Sequence, residues 1–222
     1  YDTDGVDSQA PSLDIGEDGR IHLCWQEKRG EDSFTCYRCY NPNGSPTPTY
    51  TPSLIMNVSD DAGVIRINDF KTGQTSTLVV DDGDDQHQLV VAYIEVPHWS
   101  TDYVLQFTKI DLKPIVPLWD DFDDYTPCPV SYVPSGGTRP TIDVDSSGLF
   151  RCAYIGSDNK IYEMNAEFGD DDWSTPQVLV NTTSDKVNID FKIDPQDDDT
   201  YYIAYDVLVS GEWRVYWEKF TE

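Results

Sequence analysis

The chain has 222 residues, of which 41 are acidic and 15 basic, for a formal net charge of −26. Such a field repels nucleic acid and anionic membrane surfaces, and no run of about 18 apolar residues offers a membrane-spanning segment. Aromatic residues make up 13% of the chain, which is bulk enough for a packed core and argues against disorder.

Residues 1–10 (YDTDGVDSQA) are acidic and poor in strand formers. They could serve as an outer strand of another blade only poorly. Residues 11–25 (PSLDIGEDGRIHLCW) read as two short alternating runs around an acidic turn containing glycine, the pattern of a β-hairpin. A third run follows at 34–40 (FTCYRCY) and a fourth at 52–59 (PSLIMNVS). The run VIRINDF (64–70) reads either as an extra strand or as a crossover. The hairpin unit returns at 77–93 (TLVVDDGDDQHQLVVAY), followed by candidate strands at 103–110 and 127–133. It returns again at 140–154 (PTIDVDSSGLFRCAY), which aligns with 11–25 without a gap. Pro11 matches Pro140, Asp14 matches Asp143, Gly19 matches Gly148 and Trp25 matches Tyr154. Strands at 160–165 and 176–183 complete that unit. The last hairpin, 187–205, is followed by 213–220 (WRVYWEKF), and there the pattern stops.

All four second strands end in a small residue followed by an aromatic: Cys24-Trp25, Ala92-Tyr93, Ala153-Tyr154 and Ala204-Tyr205. Alternation puts Ile21, Leu23 and Trp25 on one face and the small residue on the other, where a neighbouring sheet can approach closely. Four-strand units recurring at roughly 50–70 residues indicate propeller blades. The expected fold is all-β, a small β-propeller of four diverged blades in one domain over 1–222. The repeats fall at approximately 7–59, 60–134, 135–183 and 184–222. A β-sandwich, the alternative, explains short strands but not the repeated unit. The fourth repeat has no counterpart of PSLIMN, so its blade is expected to be three-stranded, completed by another chain, or cut from a longer protein; an open strand edge would be a docking site, unless Glu218 and Lys219 blunt it.

The pattern P-S/T-L/I-x-V/I-D…D/S-G…W/Y resembles the repeats of sialidase-like propellers, the bacterial neuraminidase repeat class. Residues 169–176 (GDDDWSTP) are similar to that class's Asp-box, with Trp173 in the aromatic place and without the leading Ser/Thr and the glycine turn. The resemblance implies a propeller and not an activity. Sialidase chemistry would need an arginine cluster. Of the seven arginines, Arg139 alone precedes an inner strand.

Several residues are candidates for chemistry. A hairpin centred near Gly30 places Cys24 opposite Cys36, which would allow a cross-strand disulfide. Asn57 and Asn181 lie in Asn-x-Ser/Thr sequons just after outer strands, open to glycosylation in a secretory compartment. Trp99 and Trp119 lie in loop-like segments and are the candidate ligand-stacking residues for a glycan. Asp14, Asp143 and Asp190 on inner strands, with Glu95, are the carboxylates a glycoside hydrolase would draw on. The Asp-rich runs 81–85, 120–124, 170–172 and 197–199 suit hairpin turns and are the places that calcium could occupy. None matches an EF-hand loop, and no catalytic set or other cofactor site stands out. The expected function is a non-enzymatic, secreted or cell-surface propeller acting in assembly or recognition. It would self-associate into homo-oligomers or fibres, or bind another surface protein. A glycan-binding module is the alternative, and a glycoside hydrolase the third reading.

Overall fold

The structure, a computed structural model, describes residues 6–16, 19–29, 32–45, 65–66, 71–72, 77–81, 88–96, 103–111, 128–132, 140–156, 158–166 and 173–221. Among these residues every regular element is a strand, and every ladder is antiparallel. The first sheet has the order β1 (Val6–Ile15), β2 (Ile21–Arg29), β3 (Asp32–Tyr40), β4 (Ile65–Arg66). In the second, β5 (Lys71–Thr72) and β6 (Thr77–Asp81) both pair with β7 (Gln88–Val96), which is followed by β8 (Tyr103–Asp111) and β9 (Cys128–Tyr132). The third is β10 (Thr141–Val144), β11 (Phe150–Ile155), β12 (Ile161–Ala166), β13 (Gln177–Val180). The last has only three strands, β14 (Lys186–Asp194), β15 (Asp197–Val209) and β16 (Glu212–Thr221). These are the blades of an all-β propeller.

One five-residue turn recurs. Gly16 N donates to Arg20 O at 3.0 Å and Gly19 N to Gly16 O at 2.8 Å. Asp145 with Leu149 and Gly148 with Asp145 repeat the pattern at 3.1 Å each. Each turn needs a residue in the left-handed region, and Gly19 (φ 75) and Gly148 (φ 85) supply it without a Cβ clash. This is why the two hairpins align without a gap. In the second of them Asp145 Oδ1 accepts from Ser147 N and Leu149 N, both at 2.9 Å. The aspartate there is turn chemistry.

Three expectations change. Residues 6–10 belong to β1, the inner strand of the first blade, which reaches β2 across a register shift between Gln9 and Ser12. They do not close another blade. The run 64–70 supplies β4, with Ile65 opposite Tyr37 and Arg66 opposite Cys36, so the first blade extends past residue 59. The segment 52–59 lies outside the described residues. The third change is to the disulfide. Arg29 pairs with Asp32, so the hairpin turns on two residues, 30 and 31, and not on Gly30 alone. Cys24 therefore faces Tyr37, and Cys36 faces Trp25. A one-residue slip reverses the face of every side chain. It puts the two sulfurs on opposite sides of the sheet, where both are buried thiols.

The sheets stack in chain order, with β6 against β1, β2 and β10, and β14 against β10 and β11. The stacking has a direction. The face of the third sheet that carries Thr141, Asp143, Arg151 and Ala153 meets the face of the last sheet that carries Phe191, Tyr201 and Ile203. The small residue of one blade thus lies under the aromatic face of the next. Ala92, on the same side of β7 as Val90, joins the core that holds Phe150, Cys152 and Tyr154. Cys24 lies on the face of the first sheet that is closed by burial, with His22, Gln26 and Tyr37. The first and last sheets share no contact of comparable extent among the described residues.

Candidate functional site

In the last sheet β15 and β16 are joined by the two-residue turn Ser210-Gly211. Both residues have positive φ (54 and 84), as the tightest hairpin turn requires. The register pairs Leu208 with Trp213, Asp206 with Val215, Ala204 with Trp217 and Tyr202 with Lys219. Alternation places Trp213, Val215 and Trp217 on the Ala204 side. Among the described residues no sheet lies over that side, and these three residues are 52%, 75% and 69% exposed. Lys219 Nζ stands 5.8 Å from the Tyr202 ring centroid at one end of the strip. At the other end Arg214, on the opposite face, is paired with Glu212 at 3.2 Å.

The opposite face of β16 holds the strand to the core. Tyr201 and Phe220 stack at 5.4 Å, and Tyr205 and Tyr216 at 6.1 Å. Tyr205 donates its hydroxyl to Glu218 Oε1 at 2.5 Å. Burial first, and then the Glu218 carboxylate, push the Tyr205 phenol well above its ordinary range. Burial does the same to Tyr37. A phenol with a raised folded pKa contributes stability that is complete below its unfolded pKa of about 10. The contribution is lost as pH rises from there towards the folded value. The expected result is an alkaline fall in stability that shrinks in Tyr205→Phe, measured as urea midpoints between neutral and alkaline pH.

The inner strands carry the carboxylates that a hydrolase would use, and the structure gives one of them another task. Asp143 Oδ2 accepts from Ile193 N at 2.9 Å, and its Oδ1 meets Lys192 Nζ at 3.3 Å. Thr141 Oγ1 accepts from Phe191 N at 3.3 Å. Both oxygens of Asp143 thus clasp β10 to β14. Asp14, at the matching position, accepts from its own neighbour Ile15 N at 2.9 Å. Asp190 is exposed and sits opposite Ala204. A buried cation also proves to be structural. Lys186 Nζ donates to the carbonyls of Asn159, Thr182 and Ser184 at 2.6, 2.5 and 3.1 Å, and burial lowers its pKa.

Of the sequence candidates, Trp99, Trp119, Asn57 and Arg139 lie outside the described residues. For Glu95 the backbone alone is described, opposite Thr72 and Val104. Asn181 is exposed immediately after β13. Trp173 packs half-buried against the main core. In the run 197–199, Asp197 accepts from Thr200 Oγ1 and Asp198 from Ser146, so two of its carboxylates serve local and inter-blade hydrogen bonds. Among the described residues no three His, Cys, Asp or Glu side chains come together in a metal-holding group, and no helix is long and apolar enough to cross a membrane. The buried pair Arg151–Glu163 at 3.2 Å was not marked in the sequence. Its signal was an arginine beside Ala153 on the face that receives the next blade.

No protein-family model matches the chain, and no curated protein matches it. The neuraminidase-repeat resemblance therefore has no support from a family model. Among solved structures the chain is similar to an α-L-arabinofuranosidase of Fusarium graminearum in complex with an iminosugar inhibitor. The identity is 10% and the TM-score 0.62, over 97% of this chain and 63% of that one. A complex of that fungal enzyme with arabinobiose matches with 10% identity and a TM-score of 0.61, over the same shares. The chain spans less than two thirds of the length of these enzymes. At this identity the likeness is one of fold, and the fold is that of a β-propeller.

Proposed function

We propose that this chain is a non-enzymatic recognition and assembly module of an extracellular surface, and that its working surface is the exposed apolar face of the last sheet. The observation that carries this is the strip Trp213, Val215 and Trp217, exposed side by side on β16 of the last sheet. A flat exposed apolar face offers area to bury against a partner. The clasp formed by Asp143 supports the same reading, because it commits a would-be catalytic carboxylate to holding two blades together. The expected solution behaviour is concentration-dependent association of the 25.2 kDa chain, seen by light scattering and abolished in Val215→Asp. A wild type that stays monomeric at every concentration, and looks no different from Val215→Asp, would remove the basis for this function.

A carbohydrate-directed reading has one observation in its favour, the fold likeness to an enzyme solved with arabinobiose. Its test is calorimetric titration with arabinobiose, together with assay of arabino-oligosaccharide cleavage. Saturable binding or turnover would displace the assembly reading.

A further inference from the structure

We propose that the backbone around Lys186 forms a cage for a monovalent cation, and that the chain fills this cage with its own ammonium to latch the last sheet to the third. The proposal does not rest on the assembly reading. Lys186 opens β14 and is buried, although Thr182, Ser184 and Asp185 just before it are exposed. Its Nζ lies 2.6 Å from Asn159 O, 2.5 Å from Thr182 O and 3.1 Å from Ser184 O. Asn159 belongs to the turn between β11 and β12, and Thr182 and Ser184 to the crossover from β13 to β14. One nitrogen therefore joins the third sheet, the crossover and the last sheet.

Three acceptors suit an ammonium, which uses its three N–H donors on them. They are backbone carbonyls, the oxygens that replace the water shell of potassium in a selectivity filter. A divalent ion would need more, since calcium takes about 6–8 oxygens, with carboxylates among them. The carboxylates nearby have other partners. Asp185 Oδ1 accepts from Asn159 Nδ2 at 3.0 Å, and Asp158 is paired with Lys160 at 2.9 Å. Their charges, with that of Glu218 on β16, still favour a cation at Nζ.

The turn at Asn159 is specialised for this task. Among the described residues four five-residue turns share one hydrogen-bond pattern, and in three of them the left-handed residue is a glycine, Gly19, Gly44 or Gly148. In the fourth it is Asn159, with φ 64. A side chain there costs backbone energy that glycine avoids. Asn159 binds the crossover twice, by its carbonyl to Lys186 and by its amide to Asp185. Leu208 N on β15 adds a bond to Asp185 O at 2.9 Å. Lys186 pairs with Val207, and Val207 with Arg214, which stands between Trp213 and Val215. The latch thus fixes the sheet that carries the exposed strip.

Two variants test this. Lys186→Ala removes the ammonium and leaves room for an ion, whereas Lys186→Met removes it and keeps the space filled. Thermal melting followed by circular dichroism compares both with the wild type in potassium, ammonium, lithium and tetramethylammonium chlorides at equal ionic strength. Both variants should melt about 4–12 °C below the wild type. Potassium or ammonium should restore roughly half of that loss to Lys186→Ala, as a ligand that binds only the folded state does. The same salts should give the wild type and Lys186→Met no advantage over lithium. Should Lys186→Ala not fold unaided, refolding from urea in the same four salts takes the place of melting, with recovery expected in potassium or ammonium alone. An equal response to all four salts, or a response to none, overturns the cage. Rescue by calcium and not by potassium overturns the monovalent assignment. Variants that melt with the wild type overturn the latch.

Discussion

Glu163→Ala should lower the stability of the chain by about 3–5 kcal/mol, the usual cost of stranding one member of a buried ion pair. The side chains of Arg151 and Glu163 are 4% and 6% exposed, and their closest atoms are 3.2 Å apart. The guanidinium also lies 5.3 Å from the Tyr201 ring centroid, so it is held between the third and last sheets. Removing the carboxylate leaves a cation in a site that water does not reach. For a domain of this size the loss corresponds to about 6–20 °C in Tm. Urea unfolding followed by tryptophan fluorescence measures it. The double replacement Arg151→Met with Glu163→Leu should recover much of the loss, since a buried pair exchanged for apolar residues of similar volume is often neutral. A single variant with wild-type stability would mean that water reaches the pair.

Phe191→Ala should cost a similar amount, about 3–5 kcal/mol, by a different route. Phe191 is fully buried, with its ring 5.4 Å from that of Tyr201. It lies on the last sheet against β10 and β11. Truncation leaves a cavity that the clasped backbone cannot collapse to fill, because Phe191 N and Ile193 N on either side are tied to Thr141 and Asp143. The main core runs without a break from Val90 and Ala92 through the third sheet to Val207. The loss should therefore appear as an earlier single transition with an unchanged denaturant slope. A separate early transition would show instead that the last sheet melts by itself.

Much of the architecture was legible because it is written in short-range terms. The gapless match of 11–25 to 140–154 reflects a turn whose left-handed residue is Gly19 in one copy and Gly148 in the other. The third strands at 34–40, 103–110, 160–165 and 213–220 appear as Asp32–Tyr40, Tyr103–Asp111, Ile161–Ala166 and Glu212–Thr221. Alternation over four to nine residues needs no partner to be read. The small residue before each aromatic predicted a close approach, and Ala153 meets the last sheet in that way.

Where the reading failed, a long-range choice decided the outcome. The segment at 64–70 is a weak strand by pattern, and what makes part of it a strand is the open edge of β3 beside Tyr37 and Cys36. Cys24 and Cys36 looked opposed because turn length cannot be read off a hairpin whose loop is Gly30-Glu31. The pairing of Arg29 with Asp32 fixes the count and turns the sulfurs apart. Asp143 could equally have been a catalytic carboxylate by position, and only the arrival of Lys192 and Ile193 from the last sheet assigns it to a clasp.

The sequence by itself determined the repeated hairpin and the alternation. Both depend on the local conformational preferences of a few adjacent residues. Only the tertiary structure decided that the small-residue face of the third sheet meets the aromatic face of the last, and that Trp213, Val215 and Trp217 stand exposed. That depends on which faces of distant strands are covered, and burial is a property of neighbours in space and not of neighbours in the chain.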